Sequence, residues 1–519
     1  MYKRQLYNIS IKSIGAAAKR DPEVRIEHVI EYAERMREPG FHFMDSPGND
    51  LESVAGEVAS GCNLIFFTTG NGSITNFPFV PTLKFVTTTG RYELLPNEMD
   101  VNAGRYLDGM PLDELGRETF DLSVRVASGE RSVGERAGHS QVQIWRDWKQ
   151  TSTADLERLL ALPAPDGEPL PVAPEAGPPG DHAFEALTAE RGPAADQIAL
   201  VMPTSLCSGQ VARMIAERLN EREAGGDRVT RFVALPHTEG CGNSGGSSLD
   251  TFARTVLGHL DHPLVRVALL LEHGCEKTHN DYFRSRLGDA GLDPDAFGWA
   301  SVQLEGGIEK VMARTEGWFA EALAELDPLE TETVGLERLR LGLLATGVVS
   351  ERAAGALAGL TTAVVGAGGT VVVPETAGLL RSSAFRDDVL GGDEPHTTLA
   401  HGQAARRAGL HVMEAPTGNP TETVTGLGAT GIEVMLAHVA GRPLQAHRMI
   451  PLLQASADPT TVARHGEDLD VALEGDPGGW TAELLDAVIE VASRRSTPRL
   501  YGQGNTAFQL TRGLLGVSM

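Results

Sequence analysis

Residues 41–91 read FHFMDSPGNDLESVAGEVASGCNLIFFTTGNGSITNFPFVPTLKFVTTTGR, and their pattern sets the fold class. The apolar run at 63–67 ends in Thr68-Thr69-Gly70-Asn71-Gly72-Ser73, as a buried strand does when it discharges into a ligand-facing loop. Upstream, Ser46-Pro47-Gly48-Asn49-Asp50 is a turn leading into a helix, with Asn49 or Asp50 placed to cap it. Downstream, a last strand passes through 83–86. Strand, turn, helix, strand, loop, strand is the order of an α/β protein.

The rest of the chain bounds what such a fold can serve. At 519 residues it exceeds one core and predicts about two to four domains. A net charge of −25 argues against nucleic-acid and anionic-membrane partners. The most apolar run, 361–380, is broken by Gly366, Gly368, Gly369, Pro374 and Glu375, so no membrane span is expected. No signal peptide is visible at the start. Four cysteines in a chain of this size are no disulfide scaffold, and a reducing cytoplasm is the default location. Residues 1–5, MYKRQ, read as the translation of a transposon end from a sequencing library, which gives the expectation of a fragment that starts inside a domain.

Taken in order, a short strand is expected over 6–11. A helix is expected over 22–37, with Val24, Ile26, Val29, Ile30 and Ala33 on its apolar face. A second helix is expected over 112–126 and a strand over 141–145. Residues 163–180, PAPDGEPLPVAPEAGPPG, read as a Pro-rich linker. Beyond it, strand-like runs at 198–202, 231–235 and 265–271 each lead to a cysteine: Cys207, Cys241 and Cys275, 34 residues apart in both intervals. With helices at 209–223 and 249–259 between them, this is the spacing of βαβ units, hence a parallel sheet with one cysteine beyond each strand. Further on, a helix is expected over 308–326 and a strand over 370–373.

The last region repeats the first. Residues 410–419 parallel 41–49, 433–436 parallel 64–67, 467–471 parallel 97–101, and 504–509 parallel 138–143. Four matches in one order predict an internal duplication. The plan is therefore a first domain at 1–150, a linker at 151–196, a central domain at 197–330, and a second copy of the first domain at 331–519.

Three stretches carry chemistry. In Pro236-His237-Thr238-Glu239-Gly240-Cys241-Gly242, an imidazole, a carboxylate and a thiol can hold a divalent metal or act as acid and base. The plainer reading is a His–Glu pair tying down a tight Gly turn. The loop 272–280, EHGCEKTHN, adds Cys275 and Glu276 at the same sheet edge, with Cys207 as a third wall. Three thiols there point to iron or zinc, although buried cysteines also simply pack, and the paired C-x-x-C spacing of a structural zinc site is absent. Finally, Thr68, Thr69, Gly70 and Asn71 offer hydroxyls and open backbone N–H groups to a carboxylate or polyol, with Lys84 and Arg91 as countercharges. In the second copy that loop becomes Ala437-His438-Val439-Ala440-Gly441, Lys84 aligns near Gln454, and Asn102 falls at Ala472-Leu473. The apolar frame persists without the polar loop, as in a copy relieved of chemistry or one that binds something else.

SPGNDLESVAGEVASGCNLIFFTTGNGS, PTLKFVTTT and MDVNAG resemble the C-terminal domain of the altronate/galactarate dehydratase family, and LPHTEGCG and LLLEHGCEKT resemble the Cys-bearing loops of its central domain. NISIKSIGAAAKR resembles a segment inside that C-terminal domain, in line with a missing start. The resemblance implies Rossmann-like α/β layering with the C-terminal family domain duplicated. It also implies a lyase that removes water from an aldonate or aldarate to give a 2-keto-3-deoxy acid through an enediolate. A divalent metal is implied, Fe2+ first, with Mn2+, Mg2+ or Ca2+ as the other candidates.

On that reading His237, Glu239 and Cys241 are catalytic, and His237, Cys207, Cys241, Cys275 and Glu276 hold the metal. Asn49, Asp50, Thr68, Thr69, Gly70, Asn71, Lys84 and Asn102 hold the substrate. The partners expected are a small sugar acid and, for the protein, a second copy or upstream domains; nucleic acid and membrane are not expected. The sequence departs from the family pattern in that a C-terminal-type domain comes first, the small N-terminal domain is not visible in it, and a Cys/Gly/Ser-rich loop is absent at 345–349. The competing readings are carbon–sulfur cleavage of a sulfonated hydroxy acid and a non-catalytic partner half.

Overall fold

In the first segment, β1 (His28–Ile30) pairs in parallel with β2 (His42–Met44). The helix Asp50–Ser60 follows, capped by Asn49, whose side chain accepts from Leu51 N at 3.1 Å, and closed by Gly61 in the left-handed region. Then β3 (Ile65–Thr69), β4 (Thr82–Val86) and β5 (Val101–Asn102) form a parallel sheet in that order. The helix Leu112–Ala127 forms as expected. The structure is a computed structural model and describes residues 18, 21–146, 157, 161, 164–173, 182–241 and 246–513. The strand expected over 6–11 lies outside them.

Two expectations in this segment are corrected. No helix forms over 22–37: β1 occupies its middle, Val29 is 74% exposed, and Ala33 stands at φ 61, a value no helix interior accommodates. Val29 and Ile30 are β-branched, and pairing with β2 outweighs the helical spacing of the apolar residues. Residues 141–145 form no strand. Gln141 instead ties the segment down at single points, its N donating to Asn76 O at 3.1 Å and its amide to Leu206 O.

The central segment opens with the antiparallel pair β6 (Ala183–Ala189) and β7 (Gly192–Ala194). The 34-residue spacing then yields β8 (Ile198–Pro203), β9 (Phe232–Ala234), β10 (Val265–Glu272) and β11 (Gly298–Ser301), all parallel in the order β11-β10-β8-β9. The helices Gly209–Glu221, Ser247–Leu260 and Ile308–Ala324 cover this sheet, and β8 is buried along its whole length. The chain runs from β8 to β9 on one side and returns to β10 on the other. The crevice between β8 and β10 at their carboxyl ends is thus a topological switch point, the usual ligand position in such sheets. β12 (Glu330–Gly335) pairs back on β6.

The last segment holds β13 (Arg340–Thr346), β14 (Thr370–Pro374), β15 (Gly409–Met413), β16 (Val434–Val439), β17 (Ala446–His447), β18 (Leu452–Ser456), β19 (Val471–Ala472) and β20 (Thr506–Ala507). Six of them form a parallel sheet in the order β15-β14-β13-β16-β18-β19, and β17 pairs with β20. The described part of the Pro-rich stretch lies on its edge, with Leu170 N donating to Leu410 O at 2.7 Å and Ala173 N to Val389 O at 2.8 Å. This covers an edge strand that would otherwise offer unpaired groups.

Geometry recurs between the first and last segments at a fixed offset of 370 residues. Ile65 pairs with Thr82, and Met435 with Leu452. Asp100 accepts from Lys84 N at 2.9 Å and Asp470 from Gln454 N at 2.7 Å, while Asp100 N and Asp470 N return bonds to Lys84 O and Gln454 O. Asn49 and Asn419 cap the equivalent helices. Among the described residues no helix is long and apolar enough to cross a membrane.

Candidate functional site

The loops beyond β8 and β10 are fastened to each other by Glu276, and the loop beyond β9 joins them through Leu206 N, which donates to Glu239 O at 2.8 Å, and Thr278 Oγ1, which donates to Gly240 O at 3.2 Å. Glu276 Oε1 accepts from Thr204 Oγ1 (2.8 Å), Ser205 Oγ (3.1 Å) and His273 N (2.7 Å), and its Oε2 from Gly274 N (2.6 Å) and Cys275 N (2.9 Å). Five donors occupy the lone pairs of this buried carboxylate, so its first task is holding the loops. Gly240 completes the fastening. At φ 105, a Cβ there would lie 2.5 Å from Thr204 O, so only glycine fits.

The thiols gather on this frame. Cys207 Sγ and Cys241 Sγ are 3.8 Å apart. That equals the edge of a tetrahedron of thiolates around a metal at about 2.3 Å. Hydrogen bonding to Cys241 and burial push the Cys207 thiol well up, with Cys241, Cys275 and Asp50 adding to the effect. His273 Nδ1 lies 3.2 Å from Cys275 Sγ, while its buried Nε2 has no hydrogen-bond partner. Ligand atoms of His273, Cys275 and Glu276 all fall within 4.8 Å of one another.

His237 and Glu239 share the loop of Cys241 but face other partners. His237 Nε2 donates to Pro203 O at 2.8 Å and Nδ1 accepts from Glu239 N at 3.2 Å, so both ring nitrogens are bonded to backbone. Burial lowers its pKa to about 4 and keeps the ring neutral. Glu239 accepts from Arg146 Nη1 at 2.7 Å and from Arg512 Nε at 3.0 and 3.1 Å, inside a buried charge cluster that joins all three segments.

The first segment forms the opposite wall. Leu51, at the start of the helix capped by Asn49, packs on Leu206, Cys207 and Cys241, which brings Asp50 beside the thiols. Lys84 is 1% exposed, and burial lowers its pKa to about 8 against the pull of Asp100 and Glu98. Close by is His139, a residue not singled out from the sequence. Its ring is buried and neither nitrogen has a hydrogen-bond partner. Burial, then the charge of Lys84, lowers its pKa to about 3, with His273 acting in the same direction; the nearby Ile74 backbone pulls the other way without meeting hydrogen-bond geometry. Asn76 Nδ2 donates to His139 O at 3.0 Å, and Asn76 Oδ1 is unpartnered.

The polar loop contributes less directly. Thr69 Oγ1 accepts from Asn71 N and Gly72 N, folding the loop on itself, and Gln303 Nε2 of the central segment donates to Gly72 O at 2.5 Å. Thr68 and Gly70 are exposed, and Asn102 bonds Thr89 at 3.0 Å. Lys84, Asp50 and the three cysteines are therefore brought to one place, joined by His139 and His273. His273 lies within the 272–280 loop, and the sequence signal for His139 is that Asn505 aligns with it between the parallel blocks 138–143 and 504–509.

Comparison with known proteins covers the same two segments. Residues 2–150 match the profile "D-galactarate/Altronate dehydratase, C-terminal", and residues 197–327 match "D-galactarate dehydratase/Altronate hydrolase, second domain". The chain is 30% identical over 135 residues to the altronate dehydratase of Escherichia coli K12, covering 26% of this chain and 27% of that protein. It is 32% identical over 136 residues to the altronate dehydratase of Bacillus subtilis 168, covering 26% and 27%. It is 29% identical over 142 residues to the beta subunit of (2R)-sulfolactate sulfo-lyase from Chromohalobacter salexigens, covering 27% and 36%. The chain thus spans between about a quarter and just over a third of the length of these relatives. With two separate profiles matched in the segments that build the site, the chain belongs to the altronate/galactarate dehydratase family.

Proposed function

We propose that the chain is a hydro-lyase acting on a small sugar acid, an aldonate or aldarate, and releasing a 2-keto-3-deoxy acid through an enediolate. The observation that carries this reading is the apposition of the thiol and imidazole edge of the central sheet to the buried Lys84 and His139 of the first segment. Family membership supplies the substrate class.

A soft divalent metal fits the residues present. Cys207 and Cys241 stand at a tetrahedral spacing, Cys275 lies on the adjoining loop, and the unpartnered His273 Nε2 is a ready nitrogen ligand. Thiolate and imidazole donors favour Fe2+ over Mg2+ or Ca2+, and the oxygens of Glu276 are already engaged. When bound, such a metal supplies Lewis-acid stabilisation of charge developing at the carboxylate. The chain's own residues do the rest: Lys84 offers a cation to substrate oxygens, His139 an open nitrogen, and the 69–72 loop, pinned by Gln303, closes one side.

The last segment is read as a duplicate that supports rather than catalyses. The shared 370-residue offset in pairing and hydrogen bonds favours common descent, with Gln454 standing where Lys84 does, and in the blocks at 138–143 and 504–509 Asn505 aligns with His139. A second reading is carbon–sulfur cleavage of a sulfonated hydroxy acid, favoured by the match to the sulfolactate lyase subunit.

The test is metal analysis of the full chain together with turnover of altronate, galactarate and sulfolactate. Bound iron with 2-keto-3-deoxy acid formation is the expected result, and Cys207→Ser with Cys241→Ser should lose the iron. Sulfite release alone moves the assignment to the second reading. No turnover of any of the three overturns both.

A further inference from the structure

We infer that His139 and Lys84 are the proton-transfer pair of this site, His139 taking the proton from C2 of the substrate and Lys84 giving one to the hydroxyl leaving C3. The inference rests on the dehydratase reading above and adds to it residues in named roles.

Three observations carry it. First, both groups are buried where the first segment meets the central sheet edge, yet both are kept open. Neither ring nitrogen of His139 is bonded, and its main chain is held by Asn76. Both oxygens of Asp100 are committed to backbone, one to Lys84 N and one to Val133 N, so the nearest carboxylate steers the lysine without capping it. Leaving both buried ring nitrogens of His139 unpaired costs about 1–3 kcal/mol each.

Second, the repeated geometry supplies an internal control. The Asp470 bracket around Gln454 reproduces the Asp100 bracket around Lys84. There, however, the Gln454 amide closes on Leu444, accepting from its N at 2.7 Å and donating to its O at 3.0 Å. Asn505 aligns with His139. The scaffold is the same, and both proton carriers are replaced by amides that neither gain nor lose a proton near neutrality. That frame forms in the last segment without an amine at position 454 or an imidazole at position 505, where Asn505 is exposed and His139 is buried.

Third, the two candidates on the Cys241 loop are occupied. His237 has both nitrogens on backbone, and Glu239 is bonded by two arginines. A neutral imidazole beside a cationic amine is the pairing that base and acid require; burial keeps His139 neutral, while Asp100 and Glu98 favour the charged form of Lys84 against its burial.

The step balances without a further reagent. The C2–H bond breaks, its proton passes to a ring nitrogen of His139, and its electron pair enters the enediolate. That pair then forms the C2–C3 double bond as the C3–O bond breaks, and a proton from Lys84 Nζ leaves with the hydroxyl as water. Ketonisation restores both groups: the enol proton goes to Lys84 and the imidazolium proton to C3.

The experiment compares the full-length chain with His139→Asn and Lys84→Gln, the residues that positions 505 and 454 carry, using altronate protiated or deuterated at C2. Both variants should lose at least about 100-fold in kcat, with KM within about threefold of wild type in His139→Asn. The isotope effect should persist or grow in His139→Asn and collapse in Lys84→Gln, where C–O cleavage becomes limiting. A structural role would lower kcat and leave the isotope effect alone. Either variant within threefold of wild-type kcat, or an isotope effect unchanged in both, overturns the inference. Should either variant fail to fold, His139→Gln and Lys84→Met serve in its place. A wild type that turns over no sugar acid sinks the dehydratase reading itself, and this inference with it.

Discussion

Arg512 lies across Glu239, its Nε 3.0 and 3.1 Å from the two carboxylate oxygens. Arg146 reaches Glu239 Oε1 from the first segment at 2.7 Å and Glu422 of the last segment at 2.5 Å, while Arg512 of the last segment faces Glu52 of the first at 3.8 Å. Glu52 and Glu422 are related by the 370-residue offset, and Arg146 and Arg512 by the 366-residue offset of the blocks at 138–143 and 504–509. Arg146 of the first segment thus pairs with Glu422 of the last, Arg512 of the last with Glu52 of the first, and both grip one central carboxylate. Three carboxylates face two guanidiniums. Burial, against the pull of Arg512, raises Glu52 to about 7, and Glu239 adds to the rise.

Removing the central carboxylate takes away the acceptor the two arginines share and leaves Glu422 and Glu52 as their counter-ions. Glu239→Ala is expected to destabilise the chain by about 1.5–3 kcal/mol for the lost charge-assisted hydrogen bonds, whereas Glu239→Gln, which keeps an acceptor oxygen, should cost less. Urea unfolding followed by fluorescence reads the difference. Equal midpoints for wild type and Glu239→Ala would show that the cluster does not hold the segments together.

A second prediction concerns pH. His259 Nδ1 donates to Thr255 O at 2.7 Å, and its Nε2 meets Nε2 of His447 at 3.1 Å, an arrangement that requires both rings neutral. Burial lowers His259 to about 4. The unfolded chain then takes up the proton first, near the ordinary value of about 6.5, so this stabilisation is full above that pH and fades as pH falls toward 4, by roughly 1 kcal/mol at pH 5.5. Glu433 has the opposite sign. Burial, opposed by Ala195 N–H and Arg340, raises it to about 7, so its contribution is full below the ordinary carboxyl value and is lost as pH rises through 7. Melting temperatures between pH 5 and 8 should therefore fall less steeply on the acid side in His259→Gln, and less steeply on the alkaline side in Glu433→Gln.

How much of this was legible depends on range along the chain. The 34-residue spacing read out as a parallel sheet because each strand, turn and helix is a local pattern. Asn49 read out as a cap because a cap needs only the next few residues. Where local signals conflict, pairing decides, and Val29 and Ile30 form a strand in spite of their helical spacing. His139 and His273 have no local signature. They become a site only when segments 134 residues apart meet, and the same is true of Arg512 and Glu239, 273 residues apart. His237 sits in the loop that was read for chemistry, but the bond that holds its ring comes from Pro203, on another strand.

That bond makes a prediction about His237. Its ring joins the end of β8 to the loop of Cys241, so His237→Gln should loosen the loop and cost about 1–3 kcal/mol. Metal bound per folded chain should be unchanged, because neither ring nitrogen is directed to a ligand. Metal analysis beside a melting curve checks both halves. Loss of metal at unaltered stability would return His237 to the ligand set.

Gly134 separates the needs of the site from those of the fold. It lies in the short helix Val133–Arg136, where alanine is favoured over glycine by about 1 kcal/mol. A Cβ at this position would nevertheless stand 2.7 Å from Lys84 Nζ, 2.9 Å from Asn76 Cγ and 3.0 Å from Asn76 Oδ1, so it presses on the amine and on the amide that holds His139 O. The lysine head is the end of a flexible side chain and can give way, so the backbone stays in place while the amine is displaced. Gly134→Ala should keep its melting temperature within a few degrees of wild type and lose about 10-fold or more in kcat, because displacing a reacting group by about 1 Å is enough for such a loss. Unchanged turnover in this variant would mean that the amine of Lys84 takes no part in the reaction.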